Sequence, residues 1–125
     1  MADGFGIESG FAPVEGGRLY YEVTGQGHPL VLVHAGVADH RMWDEQVVAF
    51  APHYRVIRFD TRGYGRSETA AGTFSDRADL AAVLDWLGVE QVHIMGLSRG
   101  GGIAVDFCLE YPKRVTALVP VASGV

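Results

Sequence analysis

The 125 residues suffice for one domain with a core of its own, and 48% apolar against 20% charged residues is the balance of a folded globular chain. A net charge of −5 supplies no surplus of Lys and Arg for nucleic acid or an anionic membrane surface, so neither is expected as a partner. No apolar run approaches the length of a spanning helix, Asp3 and Glu8 stand where a basic leader would begin, and the single Cys108 cannot form an internal disulfide; together these predict a cytoplasmic protein.

In chain order, "GFAPVEGGRLYYEVTGQG" predicts two short strands joined at Gly16-Gly17. "PLVLVHA" is a continuous apolar run that suits a strand buried on both faces. Met42, Trp43, Gln46, Val47 and Phe50 then recur at helical spacing until Pro52. "YRVIRFD" predicts a strand, followed by the turn-rich "TRGYGRSETAAGTFSD". Asp76 is placed to cap the next helix, with Asp79 near its positive end, inner-face residues Leu80, Val83, Leu84 and Leu87, and Gly88 closing it. "EQVHIMG" is another strand. Ile103, Ala104, Phe107, Cys108 and Tyr111 mark the stripe of a helix ended by Pro112, and "VTALVPVASGV" is the last strand. This alternation predicts an α/β fold: a mostly parallel sheet with helices on both faces and right-handed crossovers. Ligands of such sheets sit at the carboxyl ends of the strands, where the loops after Ala35, Asp60, Gly96 and Ala122 gather.

The stretch "QVHIMGLSRGGGIAVDF" fits two patterns. As G-x-S-x-G it puts Ser98 on a sharp strand-to-helix turn, where Gly96 and Gly100 supply the small residues that so tight a turn requires. As G-x-x-x-G-x-G, through Gly96, Gly100 and Gly102, it resembles the cofactor loop of NAD(P)-dependent short-chain dehydrogenases. That second reading wants the loop after the first strand and an acidic residue near the end of the next one, and "VTALVPVASGV" offers none. The Tyr-x-x-x-Lys pair of those oxidoreductases is absent as well.

With "MGLSRGG", the segments "LVHAGVADHRMW" and "RFDTRGYGRS" occur in the order and spacing of the α/β-hydrolase fold family, which the chain resembles over nearly its whole length. The resemblance implies that Ser98 is the nucleophile of a serine hydrolase acting on an ester, lactone or similar acyl substrate. It implies an oxyanion hole from the backbone N–H groups of Gly36 and Arg99, with His34-Ala35-Gly36 where the family carries His-Gly. Asp60, Arg62, Gly63, Gly65 and Ser67 match a D-x-R-G-x-G-x-S pattern that shapes a supporting loop and does no chemistry. Serine rather than aspartate at the turn points away from the epoxide-hydrolase and haloalkane-dehalogenase branches. Esterases, enol-lactonases, carbon–carbon bond hydrolases and perhydrolase-like relatives stay open. The expected partner is a small acyl substrate, with no metal or organic cofactor.

A serine hydrolase of this family carries its acid and then its histidine after the serine. Here only the acids Asp106 and Glu110 follow Ser98, both in the predicted helix, and no histidine does. The expectation is therefore a partial α/β-hydrolase core domain over residues 1–125, truncated after about the sixth strand, without cap or carboxyl-terminal strands. The apolar "VTALV" would then form an exposed edge prone to self-association, with Pro120 weakening pairing there. An alternative function is a non-catalytic half-domain or pseudo-enzyme binding module. Of the remaining histidines, His28, His40 and His53 fall in turns or helix flanks and read as solvated surface residues. His93 reads as a hydrogen-bonded core or interface residue. His34 is expected to shape the oxyanion loop, with service as a substitute base for Ser98 as the other reading. The Arg99 side chain is expected to be solvated or salt-bridged.

Overall fold

A computed structural model of the chain describes residues 6–68 and 74–122; the middle of the "SETAAGTFSD" turn segment and the last three residues of the predicted final strand lie outside them. β1 (Ile7–Val14) and β2 (Gly17–Thr24) form the expected hairpin, with Glu15-Gly16 as its loop and Gly16 at φ +77°, a left-handed value that suits glycine. β3 (His28–Val33), β4 (Tyr54–Phe59), β5 (Val92–Leu97) and β6 (Val115–Val121) are mutually parallel, and β2 joins them antiparallel to β4. The sheet order is β1-β2-β4-β3-β5-β6.

That order contains a reversal. From β3 the chain steps outward to β4, then returns past β3 to β5 and continues to β6. Right-handed crossovers running in opposite directions put their helices on opposite faces. Accordingly α1 (Asp44–Phe50) packs with Leu30, Leu32 and Val56 on one face, while α2 (Asp76–Trp86) and α3 (Arg99–Glu110) pack with Val31, Val33, Ile57 and Ile94 on the other. β3 therefore feeds a core on both sides, which is why its sequence is apolar without alternation. The crevice between the carboxyl ends of β3 and β5 is the topological switch point, where ligands of such sheets bind.

Details differ from the sequence-based expectations in instructive ways. The helix expected from Met42 begins as a 3-10 turn (His40–Trp43) before α1. Ser75, not Asp76, caps α2: its hydroxyl accepts the Ala78 N–H at 3.3 Å, which leaves Asp76 in the first turn, free to pair elsewhere. Gly88 follows α2 at φ +71°, as its capping role requires. On α3 only Ile103, Ala104 and Phe107 of the expected stripe are fully buried; Cys108 and Tyr111 are half-buried.

β6 is the outer strand of the described sheet. The Val121 carbonyl accepts the Ser98 N–H at 2.8 Å, so Val121, Val119 and Ala117 turn their backbone groups toward β5. Pro120 thus turns its missing donor toward the free edge, where it costs the β5–β6 ladder nothing and denies a donor to any strand approaching from outside.

Candidate active site

At the end of β5 the backbone turns sharply into α3 through Ser98, which has φ 56° and ψ −115°. A non-glycine residue holds such a conformation only under constraint from its surroundings, at a cost of roughly 1–3 kcal/mol. The constraint is steric. A Cβ on Gly96 would fall on the Gly100 carbonyl, and a Cβ on Gly100 would fall on the Val33 and His34 carbonyls at the end of β3. Gly102, the third glycine of the dinucleotide pattern, faces open space. The loop thus needs small residues at the two positions flanking the serine and makes no such demand at the third, the requirement of G-x-S-x-G. It also follows the fifth strand rather than the first.

Ser98 is exposed, and its hydroxyl bonds to no other described residue. It stands at the amino end of a 12-residue helix, whose first N–H groups and positive dipole end face the same space. Beside it runs the loop His34-Ala35-Gly36-Val37, closed by the Ala38 N–H on the Ala35 carbonyl at 3.3 Å, with Val37 at φ 57° and almost wholly exposed. The Ala35 N–H is taken by the Met42 sulfur at 3.3 Å. A Cβ at Gly36 would lie 3.4 Å from Arg99 Cδ, an ordinary van der Waals contact. Gly36 and Arg99 are therefore neighbours, and neither backbone N–H bonds to another described residue. The Arg99 guanidinium is salt-bridged, as expected: it donates to Asp76 at 2.7 Å and to the Thr61 hydroxyl at 3.2 Å, and it lies over the Tyr64 ring.

His34 is fully buried with both ring nitrogens engaged. Nδ1–H donates to the Ala35 carbonyl at 2.7 Å, and Nε2 accepts the Thr61 N–H at 2.9 Å. Since an amide N–H only donates, Nε2 must keep its lone pair, so the tautomer is fixed and the ring is neutral. Burial pushes its pKa down, against the opposing Ala35 bond. His34 ties the carboxyl ends of β3 and β4 together and shapes the Gly36 loop; its lone pair is not available to Ser98.

His40 corrects the sequence reading. It was expected at the solvated surface and is buried, because the 3-10 turn that carries it lies over the end of β4. Its backbone N–H and Nδ1 reach Asp60 Oδ1 at 2.7 and 2.8 Å, and Nε2 lies 3.3 Å from Glu22 Oε2. Glu22 also accepts from Tyr20 at 2.6 Å and from Arg58 at 2.8 Å, and Arg58 reaches on to Asp44. Burial alone would lower the His40 pKa, but the hydrogen bond and charge of Asp60 and the charge of Glu22 outweigh it, and the value is raised. For Asp60 burial acts to raise the pKa, while His40 and the Arg66 N–H hold the carboxyl below its usual range. Asp39, His40 and Asp60 place potential metal-ligand atoms close together. Their atoms are already spent: Asp60 Oδ2 accepts the Arg66 N–H at 2.9 Å, and the Asp39 carboxylate takes the Arg41 N–H, Nε and Nη2, which pulls its pKa to about 2. The trio is a structural network.

The D-x-R-G-x-G-x-S residues have the supporting work expected of them. Gly65 must lack a Cβ to lie against the Asp60 carboxylate. The Ser67 hydroxyl donates to the Asp60 carbonyl and accepts the Tyr20 N–H at 2.9 Å, and Arg62 grips Asp79 through two bonds of 2.7 and 3.0 Å. Asp106 and Glu110 sit exposed on α3, eight and twelve residues past Ser98, about 12 and 18 Å along its axis. His28, His53 and His93 lie at the amino ends of the strands. No described histidine therefore offers Ser98 a base. Next to Ser98, a groove of about 280 Å³ is lined by Met42, Trp43, Gln46, Met95, Leu97 and Val121. A larger groove of about 510 Å³, beside Gln91 and Arg114, lies at the other end of β5.

The model of the alpha/beta hydrolase fold family matches residues 28–124. The chain belongs to the α/β hydrolase fold family. This hydrolase-fold chain is 43% identical over 124 residues to the 2-hydroxy-6-oxononadienedioate/2-hydroxy-6-oxononatrienedioate hydrolase of Paraburkholderia phymatum, across 89% of this chain and 43% of that protein. It is 29% identical over 115 residues to the 2-hydroxy-6-oxo-6-phenylhexa-2,4-dienoate hydrolase of Comamonas testosteroni, across 85% of this chain and 40% of that one. Among solved structures, a variant of the Vigna radiata epoxide hydrolase superposes with TM-score 0.85 at 30% identity, over 91% of this chain and 38% of that chain. A hydrolase from Pseudomonas aeruginosa gives 0.83 at 32%, over 89% and 44%. The chain thus spans less than half the length of these relatives, and no helix among its described residues is long and apolar enough to cross a membrane.

Proposed function

We propose that the chain carries the nucleophile and oxyanion hole of a serine hydrolase acting on an ester, lactone or related carbonyl substrate. The constrained backbone of Ser98 between Gly96 and Gly100 carries the reading. In it, Ser98 Oγ attacks the carbonyl carbon, the oxygen takes up the charge between the N–H groups of Gly36 and Arg99, and collapse expels the leaving group to give an acyl-enzyme that water hydrolyses. The Met42–Leu97–Val121 groove is the apolar wall for the acyl chain. The base that accepts the Ser98 proton, and the carboxylate that orients it, are supplied from outside these residues. The lone Cys108, without a disulfide partner, supports a reducing, cytoplasmic setting.

A second reading is favoured by the names of the two dienoate hydrolases. A 2-hydroxy-6-oxo-dienoate has a ketone at C6 and no ester, so hydrolysing it breaks a carbon–carbon bond beside that ketone. The same attack by Ser98 and the same oxyanion hole serve that cleavage, with a carbon leaving group to be protonated.

A fluorophosphonate probe tests the serine. Without a base, the oxyanion hole alone should leave slow but measurable labelling, since residual catalysis of about 10³–10⁴-fold survives loss of a triad in serine proteases. Labelling should vanish in Ser98→Ala. Its absence in the parent chain, or its persistence in the variant, would leave the non-catalytic binding module as the better reading. Spectral decay of a 2-hydroxy-6-oxo-dienoate, run beside release of p-nitrophenol from an ester, separates the two substrate classes.

A further inference from the structure

At the amino end of the sheet, three side chains outside the proposed active site converge. His28 opens β3, His93 is the second residue of β5, and Thr116 is the second residue of β6. The Thr116 hydroxyl lies 2.8 Å from His28 Nε2 and 2.8 Å from His93 Nδ1. The two imidazole rings are 4.2 Å apart between centroids, and Tyr54 meets His93 edge-on at 5.9 Å. An irregularity in β6 lies at the same point. Val92 pairs with Val115 but His93 pairs with Ala117, so Thr116 is the extra residue of a β-bulge. Alternation from Val115, which packs on the opposite face, puts Thr116 on the face occupied by His93, and the bulge leaves it there as an unpaired residue beside Ala117.

We propose that His28 and His93 bind one divalent transition-metal ion of the zinc, copper or nickel class, through Nε2 of His28 and Nδ1 of His93. The donor set decides the class: two imidazoles, with no carboxylate grouped with them among the described residues, suit these ions and do not suit calcium or magnesium, which take oxygen ligands. A single small hydroxyl marks the point on which both nitrogens are aimed. It turns aside by rotation about one bond, and each nitrogen then closes from 2.8 Å to about 2.0–2.1 Å of the ion, with water in the remaining positions. His28 and Thr116 are exposed, so an ion reaches the pair directly from solvent. This distinguishes the pair from the Asp39–His40–Asp60 trio, whose donors are all held by protein hydrogen bonds. Ser98 is five residues further along β5, about 16 Å away, so the ion takes no part in chemistry there. Its ligands come from two strands that adjoin only in the folded sheet, so binding stabilises the fold and pins β3 to β5.

Calorimetric titration of the 125-residue chain with zinc chloride tests this, run beside His28→Gln, His93→Gln and, as a control in the exposed turn before β4, His53→Gln. One site is expected in the parent chain and the control, with affinity at least about tenfold weaker in both other variants. Thr116→Val should bind at least as tightly as the parent, because the competing hydroxyl is gone. Zinc should raise the Tm of the parent chain and leave that of His28→Gln unmoved; His28 is exposed at a strand start, so this variant folds. No zinc binding by the parent, unchanged affinity in either His28→Gln or His93→Gln, or loss of binding in Thr116→Val would overturn the assignment.

Discussion

Two regions meet at the carboxyl end of the sheet and are held by opposite means. Around Ser98 the backbone fixes everything: two glycines that admit no Cβ, one residue at positive φ, and one amide bonded to the Val121 carbonyl. Around His40 the shape is set by side-chain charges, with Asp60, Glu22 and Arg58 buried or nearly so. The border between them runs through one peptide bond. Asp60 holds His40 and Thr61 holds His34, yet the pKa values of the two buried imidazoles move in opposite directions. Thr61 presents an N–H, which needs a lone pair opposite; Asp60 presents a carboxylate, which favours a proton opposite. Burial alone would push both pKa values down, so the partner decides.

The largest effect is expected on the charged side. Asp60→Ala removes the buried carboxylate that His40 and the Arg66 N–H bond to, and should cost about 3–5 kcal/mol in urea unfolding if charge is what holds that region. Next, Gly100→Ala drives a methyl into the Val33 carbonyl; about 3 kcal/mol of stability and all fluorophosphonate labelling should go together. Third comes a pH signature. The folded pKa of His40 is raised above about 6.5, so its stabilisation is complete below that pH and is lost as pH rises through the folded value. The stability gap between the parent chain and His40→Gln should therefore be larger at pH about 5.5 than at about 8.5. A gap that does not change with pH would mean that His40 is neutral like His34. Gly102→Ala inverts the Gly100 result: with open space at that position it should stabilise α3 by about 0.5–1 kcal/mol and spare labelling. Smallest is Val119→Lys on the open face of β6. We expect the chain to self-associate through this edge; the substitution should move monomer stability by less than about 0.5 kcal/mol while reducing concentration-dependent association in sedimentation.

The same division explains what the sequence made legible. The succession of strands and helices along the chain and the Gly96–Ser98–Gly100 turn were readable because they rest on periodicity and on residue types that only tight backbone tolerates. His40 was not readable, since its neighbours Asp39 and Arg41 look like a solvated loop and its partners Glu22, Arg58 and Asp60 come from other strands. The one available signal was Asp60 ending an apolar strand, where a buried carboxylate needs a partner. By residue type Ser75 and Asp76 fit a helix cap equally well; the structure separates them by giving Asp76 to Arg99. The β6 irregularity was equally hidden, although Val115 and Leu118, three apart, both pack toward the same core.

That irregularity has a consequence for the register of the whole outer strand. One inserted residue, Thr116, shifts the phase of all that follows it. It is why Leu118 rather than Val119 points inward, why Pro120 faces outward, and why the Val121 carbonyl arrives opposite the Ser98 amide. Pairing Thr116 regularly with His93, with no bulge, would reverse each of these at once, and the serine turn would lose its anchor though no atom near it had been changed.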